Sequence, residues 1–175
     1  MTSSTPAIEA DGLGRDYDRV RALGALSLTV PRGGFVGLLG PNGAGKTTAM
    51  LLLATLLAPT RGTARIFGLD VRARRSAVRR RLGLVFQETS VDGLLSIEEN
   101  LRFAARLSGL GGSAVREAVA RAMSEAGLEP RARQLVRQLS GGWRRLVDIA
   151  RATLHRPGLL QDVGPHLGTH FSRGT

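Results

Sequence analysis

The chain's 175 residues suffice to bury the core of one domain, and the absence of cysteine excludes a disulfide framework and a thiolate metal site. The apolar run at residues 49–58 falls far short of the roughly 20 residues that cross a bilayer. The opening Met1-Thr2-Ser3-Ser4-Thr5-Pro6 lacks the charged-then-apolar plan of a signal peptide, so the sequence predicts a cytoplasmic chain that reaches a membrane only through a partner.

The net charge of +11 does not by itself point to nucleic acid, and no nucleic-acid partner is expected. The arginines are scattered from Arg15 to Arg173, dense only over residues 72–81, and aromatic residues able to stack on bases make up 4%. In chain order, residues 7–13 predict a strand ending at Gly12 and Gly14, Asp16-Tyr17-Asp18 a polar turn, and residues 25–30 an alternating strand before Pro31. Tyr17, the only tyrosine, could stack on a nucleotide base or cover an edge strand.

Phe35-Val36-Gly37-Leu38-Leu39 then predicts a short apolar strand leading into Gly40-Pro41-Asn42-Gly43-Ala44-Gly45-Lys46-Thr47. This matches the phosphate-loop (Walker A) pattern Gly-x4-Gly-Lys-Ser/Thr without slack; Thr48 follows, and residues 49–58 predict a helix. The glycines let the backbone fold back so that successive N–H groups form an anion nest, and the helix adds its positive N-terminal end. Lys46 can reach the β- and γ-phosphates, and the Thr47 hydroxyl can ligand Mg²⁺. Lys46 is the one lysine beside 24 arginines. Strand, loop and helix together point to a nucleotide phosphate site. A GTPase is not expected, because the Asn-Lys-x-Asp guanine motif needs a lysine other than Lys46.

Downstream, residues 59–63 predict a turn, 64–67 a strand and 71–81 a basic helix. Leu82-Gly83-Leu84-Val85-Phe86 predicts a buried strand that delivers Gln87 at its carboxyl end, where ligands gather in open α/β sheets. Gln87 is placed there to touch metal or attacking water, or it is an ordinary loop residue. From Ser96 the pattern turns helical: Ser96 and Glu99 form a capping box ahead of Leu101, Phe103, Ala104 and Leu107. Residues 109–112 break that helix. Val115, Val119, Ala122, Met123 and Ala126 continue at helical spacing, with Gly127 as a C-terminal stop. Leu139-Ser140-Gly141-Gly142-Trp143 opens a last helix whose predicted apolar face is Leu146, Ile149, Ala150, Thr153 and Leu154. A serine and two glycines at a helix N-terminus offer a second anion site.

Taken together, these stretches resemble the nucleotide-binding domain of an ATP-binding-cassette (ABC) transporter over roughly residues 7–160. The residues that carry the resemblance are Leu38 through Thr48, Val85-Phe86-Gln87, Leu101, Leu139 through Gly142, and Ala150-Arg151-Ala152. The resemblance implies an α/β fold: a P-loop NTPase with a RecA-like core, an N-terminal antiparallel β layer and an α-helical insert at about residues 96–156. It implies ATP and Mg²⁺ as ligands. Tyr17 would be the adenine-stacking aromatic, Gln87 the catalytic Q-loop glutamine and, with Thr47, a metal contact. Leu139 to Trp143 would be the signature that closes, in a head-to-tail dimer, over the γ-phosphate of a second nucleotide-binding domain. An integral membrane subunit would be the transport partner, with this chain peripheral at the inner face. Trp143 stands where the signature usually has glutamine. Gln87-Glu88-Thr89-Ser90-Val91-Asp92 and Arg144-Arg145 resemble the exporter branch that handles drugs and other hydrophobic compounds.

The resemblance fails after Leu160. The family's Pro-x-Leu-Leu is present as Pro157-Gly158-Leu159-Leu160, but Val163 and Gly164 stand where the metal-supporting Asp and the water-polarising Glu belong. Asp162 is one position early, and a one-residue slip turns a strand side chain to the other face. His155, His166 and His170 do not match the switch histidine and are expected at the surface. Residues 161–175 are expected to be a disordered, non-family tail, with the C-terminal part of the core missing. Read one nucleotide later, Pro165 to Thr169 allows Pro-Thr-Ser-Gly-Leu, so a frameshift, a truncation and a divergent end all remain open. The alternatives to a transporter subunit are a non-catalytic nucleotide-binding remnant and a non-transport ABC ATPase.

Overall fold

The computed structural model describes residues 5–86 and 88–163 and the backbone of 168–172. Residues 88–157 form one compact unit, and the segments before and after them form another.

The first unit holds two sheets. In the first, β1 (Ile8–Tyr17), β2 (Val20–Val30), β4 (Arg61–Ile66) and β5 (Leu69–Asp70) lie in the order β2-β1-β4-β5, all antiparallel. β1 does not end at Gly12 and Gly14 as the pattern predicts. It passes through them with shifts of register, because the glycines let three backbones meet closely. A Cβ on Gly14 would stand 2.4 Å from the Gly24 carbonyl oxygen, and one on Gly62 2.2 Å from the Gly12 carbonyl. β1 is therefore an interior strand, with Tyr17 at its tip opposite Val20 of the edge strand β2.

The second sheet has the order β3-β8-β7-β6, with β3 (Phe35–Leu38), β6 (Leu82–Phe86), β7 (Leu159–Val163) and β8 (Gly168–Ser172). β7 is parallel to β6, whereas β8 runs antiparallel to β3 and β7. Residues 161–163 and 168–172, expected in a disordered tail, thus belong to strands; Gly164, Pro165, His166 and Leu167 lie outside the described residues. Gln161 misleads a hydropathy reading because it faces the core. It is fully buried, and its amide donates from Nε2 to the Met50 carbonyl at 2.6 Å. Leu159, Gln161 and Val163 alternate as the buried side of β7. α1 (Lys46–Leu53) buries Met50 and places Ala49, Leu52 and Leu53 in the core formed with Ile8, Leu13, Val30, Ile66 and Leu159. It stops short of residue 58 because Thr55 turns to φ 61°. α2 is only Arg75–Arg79, since Asp70 ends the strand as a turn, its Oδ1 accepting from the Arg72 and Ala73 amides at 2.8 Å each.

The second unit packs α3 (Ile97–Leu107), α4 (Gly112–Ala126) and α5 (Gly141–Thr153) around Ile97, Leu101, Val115, Val119, Leu128, Val147 and Leu154. Ser96 and Glu99 form the reciprocal capping box, and Gly127 ends α4 at φ 64°. The buried side of α5 is Val147, Asp148, Ala150 and Ala152, rotated from the predicted face; Leu146 is exposed. A buried carboxylate within the helix displaced the apolar stripe from its expected register.

Candidate functional site

The phosphate loop runs from the end of β3 into α1 and is held open by backbone geometry. Gly43 and Gly45 adopt φ 83° and 84°, and a Cβ on Gly45 would lie 2.6 Å from the Ala22 carbonyl oxygen and 2.9 Å from Leu23. Glycine is required at that position by both angle and space. The β1–β2 hairpin, through Ala22 and Leu23, therefore backs the loop. Lys46 curls over it, with Nζ donating to the Gly40 and Pro41 carbonyls at 2.7 and 2.8 Å. Pro41, Asn42, Ala44 and Thr47 are exposed and Thr48 half-buried, and the first turn of α1 carries no acidic residue. Its free amides and positive end thus face solvent with no carboxylate competing for them. These features fit a polyphosphate, with the Thr47 hydroxyl available to a magnesium ion.

Tyr17 is 42% exposed at the tip of the same hairpin, with the Arg15 guanidinium 4.5 Å from its ring centroid. The hairpin is braced beneath it. Arg61 grips Asp16 through two bonds of 2.9 and 3.1 Å, and Arg21 lies 3.6 Å from the same carboxylate. Gln87 follows the last residue of β6 and lies outside the described residues.

In the helical unit, Ser140 caps α5 with extended backbone (φ −65°, ψ 163°), yet its hydroxyl makes no capping bond to the helix. It is exposed, as are Gly141 and Gly142, where an added Cβ would meet nothing within 4 Å. The first turn is again free of acidic residues. Leu139 anchors the turn by burial, and Arg144 Nε donates to its carbonyl at 3.1 Å. Trp143 is half-buried against the helical core, with the Arg131 guanidinium 4.8 Å from its ring.

Sequence reasoning missed three residues that hold the segment after Gln87 to this unit. Asn100, nearly buried, accepts from the Asp92 amide at 2.8 Å and donates to the Asp92 and Ser96 carbonyls at 2.9 and 3.0 Å. Asp148 accepts from the Ser90 amide at 3.2 Å, and Arg151 donates to the Ser90 carbonyl. Burial pushes the Asp148 carboxyl above its ordinary range, partly opposed by the Ser90 bond and by Arg151 and Arg145. Asn100 alone carried a signal, a polar residue at helical spacing from Ala104 and Leu107; Asp148 and Arg151 lie off the predicted apolar face of the last helix. Asp162 stands on the side of β7 opposite Gln161 and Val163, and His155 is half-buried rather than at the surface. Among the described residues there is no cluster of three metal-ligating side chains, and no helix is long and apolar enough to cross a membrane.

The ABC transporter family profile matches residues 23–161. The chain is 45% identical over 159 residues to the daunorubicin/doxorubicin resistance ATP-binding protein DrrA of Streptomyces peucetius, covering 91% of this chain and 48% of that protein. It is 36% identical over 165 residues to Nod factor export ATP-binding protein I of Ralstonia nicotianae, covering 94% and 51%. The chain thus spans about half the length of the curated relatives it matches. Among solved structures it superposes on the ATP-binding cassette MJ0796, a dimer in a post-hydrolysis state bound to ADP and Pi. The TM-score is 0.75 at 27% identity, covering 89% of this chain and 72% of that one. With the phosphate loop, the helical unit and these matches in agreement, the chain belongs to the ABC transporter family and has the fold of its ATP-binding domains.

Proposed function

We propose that this chain is the nucleotide-binding part of an ATP-binding subunit that serves an export transporter and works beside a separate membrane subunit at the inner face of the membrane. The phosphate loop carries the reading: its positive-φ glycines, the one lysine folded over it and the acid-free start of α1. On binding MgATP, Lys46 exchanges the Gly40 and Pro41 carbonyls for β- and γ-phosphate oxygens. The amides of Gly43, Ala44, Gly45, Lys46, Thr47 and Thr48 take the remaining phosphate charge. The Thr47 hydroxyl, with Gln87, would hold magnesium, which supplies neutralising charge beside the phosphates. Tyr17, whose ring is stacked by Arg15, offers its exposed area to the adenine.

Leu139 to Trp143 would act in trans. The unspent Ser140 hydroxyl and the open Gly141 and Gly142 amides fit the γ-phosphate held by a second copy arranged head to tail. Hydrolysis in such a dimer is in-line attack of water with the developing charge held by Lys46 and by the signature. Val163 and Gly164 occupy the positions at which the resemblance expects the metal-supporting and water-polarising carboxylates, so we infer nucleotide binding with little or no turnover. Titration with a fluorescent ATP analogue tests the reading: the wild-type chain is expected to bind, and Lys46→Ala to lose that binding. Undiminished binding by Lys46→Ala would overturn it.

A further inference from the structure

Residues 71–81 contain six arginines, Arg72, Arg74, Arg75, Arg79, Arg80 and Arg81, and no acidic residue. Two of the six serve the fold. Arg79 donates from Nε to the Thr55 hydroxyl at 2.8 Å and from Nη2 to the Thr55 carbonyl at 3.1 Å, and the Arg81 guanidinium lies 5.9 Å from the Phe67 ring centroid. The other four, all exposed, line with Ala73, Ser76 and Ala77 one surface depression of about 330 Å3. Among the described residues none of these four is in an ion pair. Asp70, the neighbouring carboxylate, spends Oδ1 on the Arg72 and Ala73 amides, and the Ala73 bond foremost holds it below its ordinary range. That turn, together with fully buried Val78 beneath α2, fixes the backbone that carries the arginines.

Four arginines lining one depression repel one another, and Asp70, whose charge acts on Arg72, is a single carboxylate beside them; among the described residues none of the four forms an ion pair. An anion is the missing complement, and the planar, two-pronged guanidinium matches the oxygens of a phosphate group. We propose that this depression binds clustered phosphate groups, carried by a soluble oligophosphate or by anionic phospholipid headgroups, at a site distinct from the phosphate loop.

The test uses the full chain carrying Lys46→Ala, so that the phosphate loop does not take up the probe. The probes are inorganic pyrophosphate and vesicles of equal parts phosphatidylglycerol and phosphatidylcholine, with pure phosphatidylcholine vesicles as control. Binding of either probe is expected, and adding Arg74→Glu with Arg75→Glu should weaken it by about tenfold or more, since each arginine near an anionic surface contributes on the order of a fivefold factor. A response to pyrophosphate alone identifies the ligand as soluble, and one to the mixed vesicles alone identifies a headgroup. If the double variant does not fold, Arg80→Gln is expected to give a loss of about threefold. The proposal is overturned if neither probe binds or if the folded variant binds as well as its parent. Because the parent already lacks the phosphate-loop lysine, this result stands or falls independently of ATP binding.

Discussion

In the strand-rich unit the working surface is main chain: amides of the phosphate loop, left-handed glycines and one half-buried lysine. In the helical unit the signature turn is open, but the neighbouring segment, residues 88–95, is held from within by Asn100, Asp148 and Arg151. The first arrangement fails by steric exclusion at a few glycines. The second fails by leaving buried polar groups unpaired. The contrast teaches where each unit is vulnerable, and substitutions can be ordered by it.

The largest effect is expected at Gly45. Gly45→Val forces a side chain into the Ala22 carbonyl at a left-handed φ, so a loss above about 3 kcal/mol in denaturant unfolding is expected, together with loss of nucleotide binding. Asn100→Ala strands the Asp92 amide, while the Asp92 and Ser96 carbonyls keep the Leu95 and Asn100 amides, so about 1–3 kcal/mol should be lost. Hydrogen exchange should rise over residues 90–96 while the phosphate loop is unaffected. An equal rise in both units would erase the comparison.

Ser96→Ala removes the cap of α3, with a loss of about 1 kcal/mol expected by thermal melting. The Ser96 hydroxyl is also the chief cause holding Glu99 below its ordinary range. A lowered carboxyl contributes stability that is present above its unfolded value of 4.5 and is lost as pH falls through the folded one, so the variant should show a shallower acid-side decline.

The smallest effect is expected at Asp148, where the sign reverses. Its folded carboxyl is raised, so the folded state binds the proton more tightly, and wild-type stability falls as pH rises from 3.8 through the raised value. Asp148→Asn keeps an acceptor for the Ser90 amide and removes that fall. It should match the wild type below the window and exceed it above, by less than about 1 kcal/mol, in melts across pH.

The phosphate loop was legible because its chemistry needs particular residues at fixed spacing, and Gly40 to Thr48 could be read with neither packing nor partners known. The capping box at Ser96 and the stop at Gly127 were legible for the same local reason. What escaped was decided by tertiary contact. Gln161 reads as polar tail until the Met50 carbonyl is placed beside it, and Asp148 reads as helix surface until Ser90 is. The passage of β1 through Gly12 and Gly14 depends on the close approach of β2 and β4, which local turn chemistry cannot reveal.

The central claim is the proposal that this chain binds nucleotide through the phosphate loop with little or no turnover. Calorimetric titration with MgATP, followed by phosphate release on the same samples of wild type and Lys46→Ala, tests both halves at once. Saturable heat in the wild type alone, with phosphate release equal in the two, is the expected result. Wild-type release many-fold above the Lys46→Ala level, or equal heats from both, would contradict it.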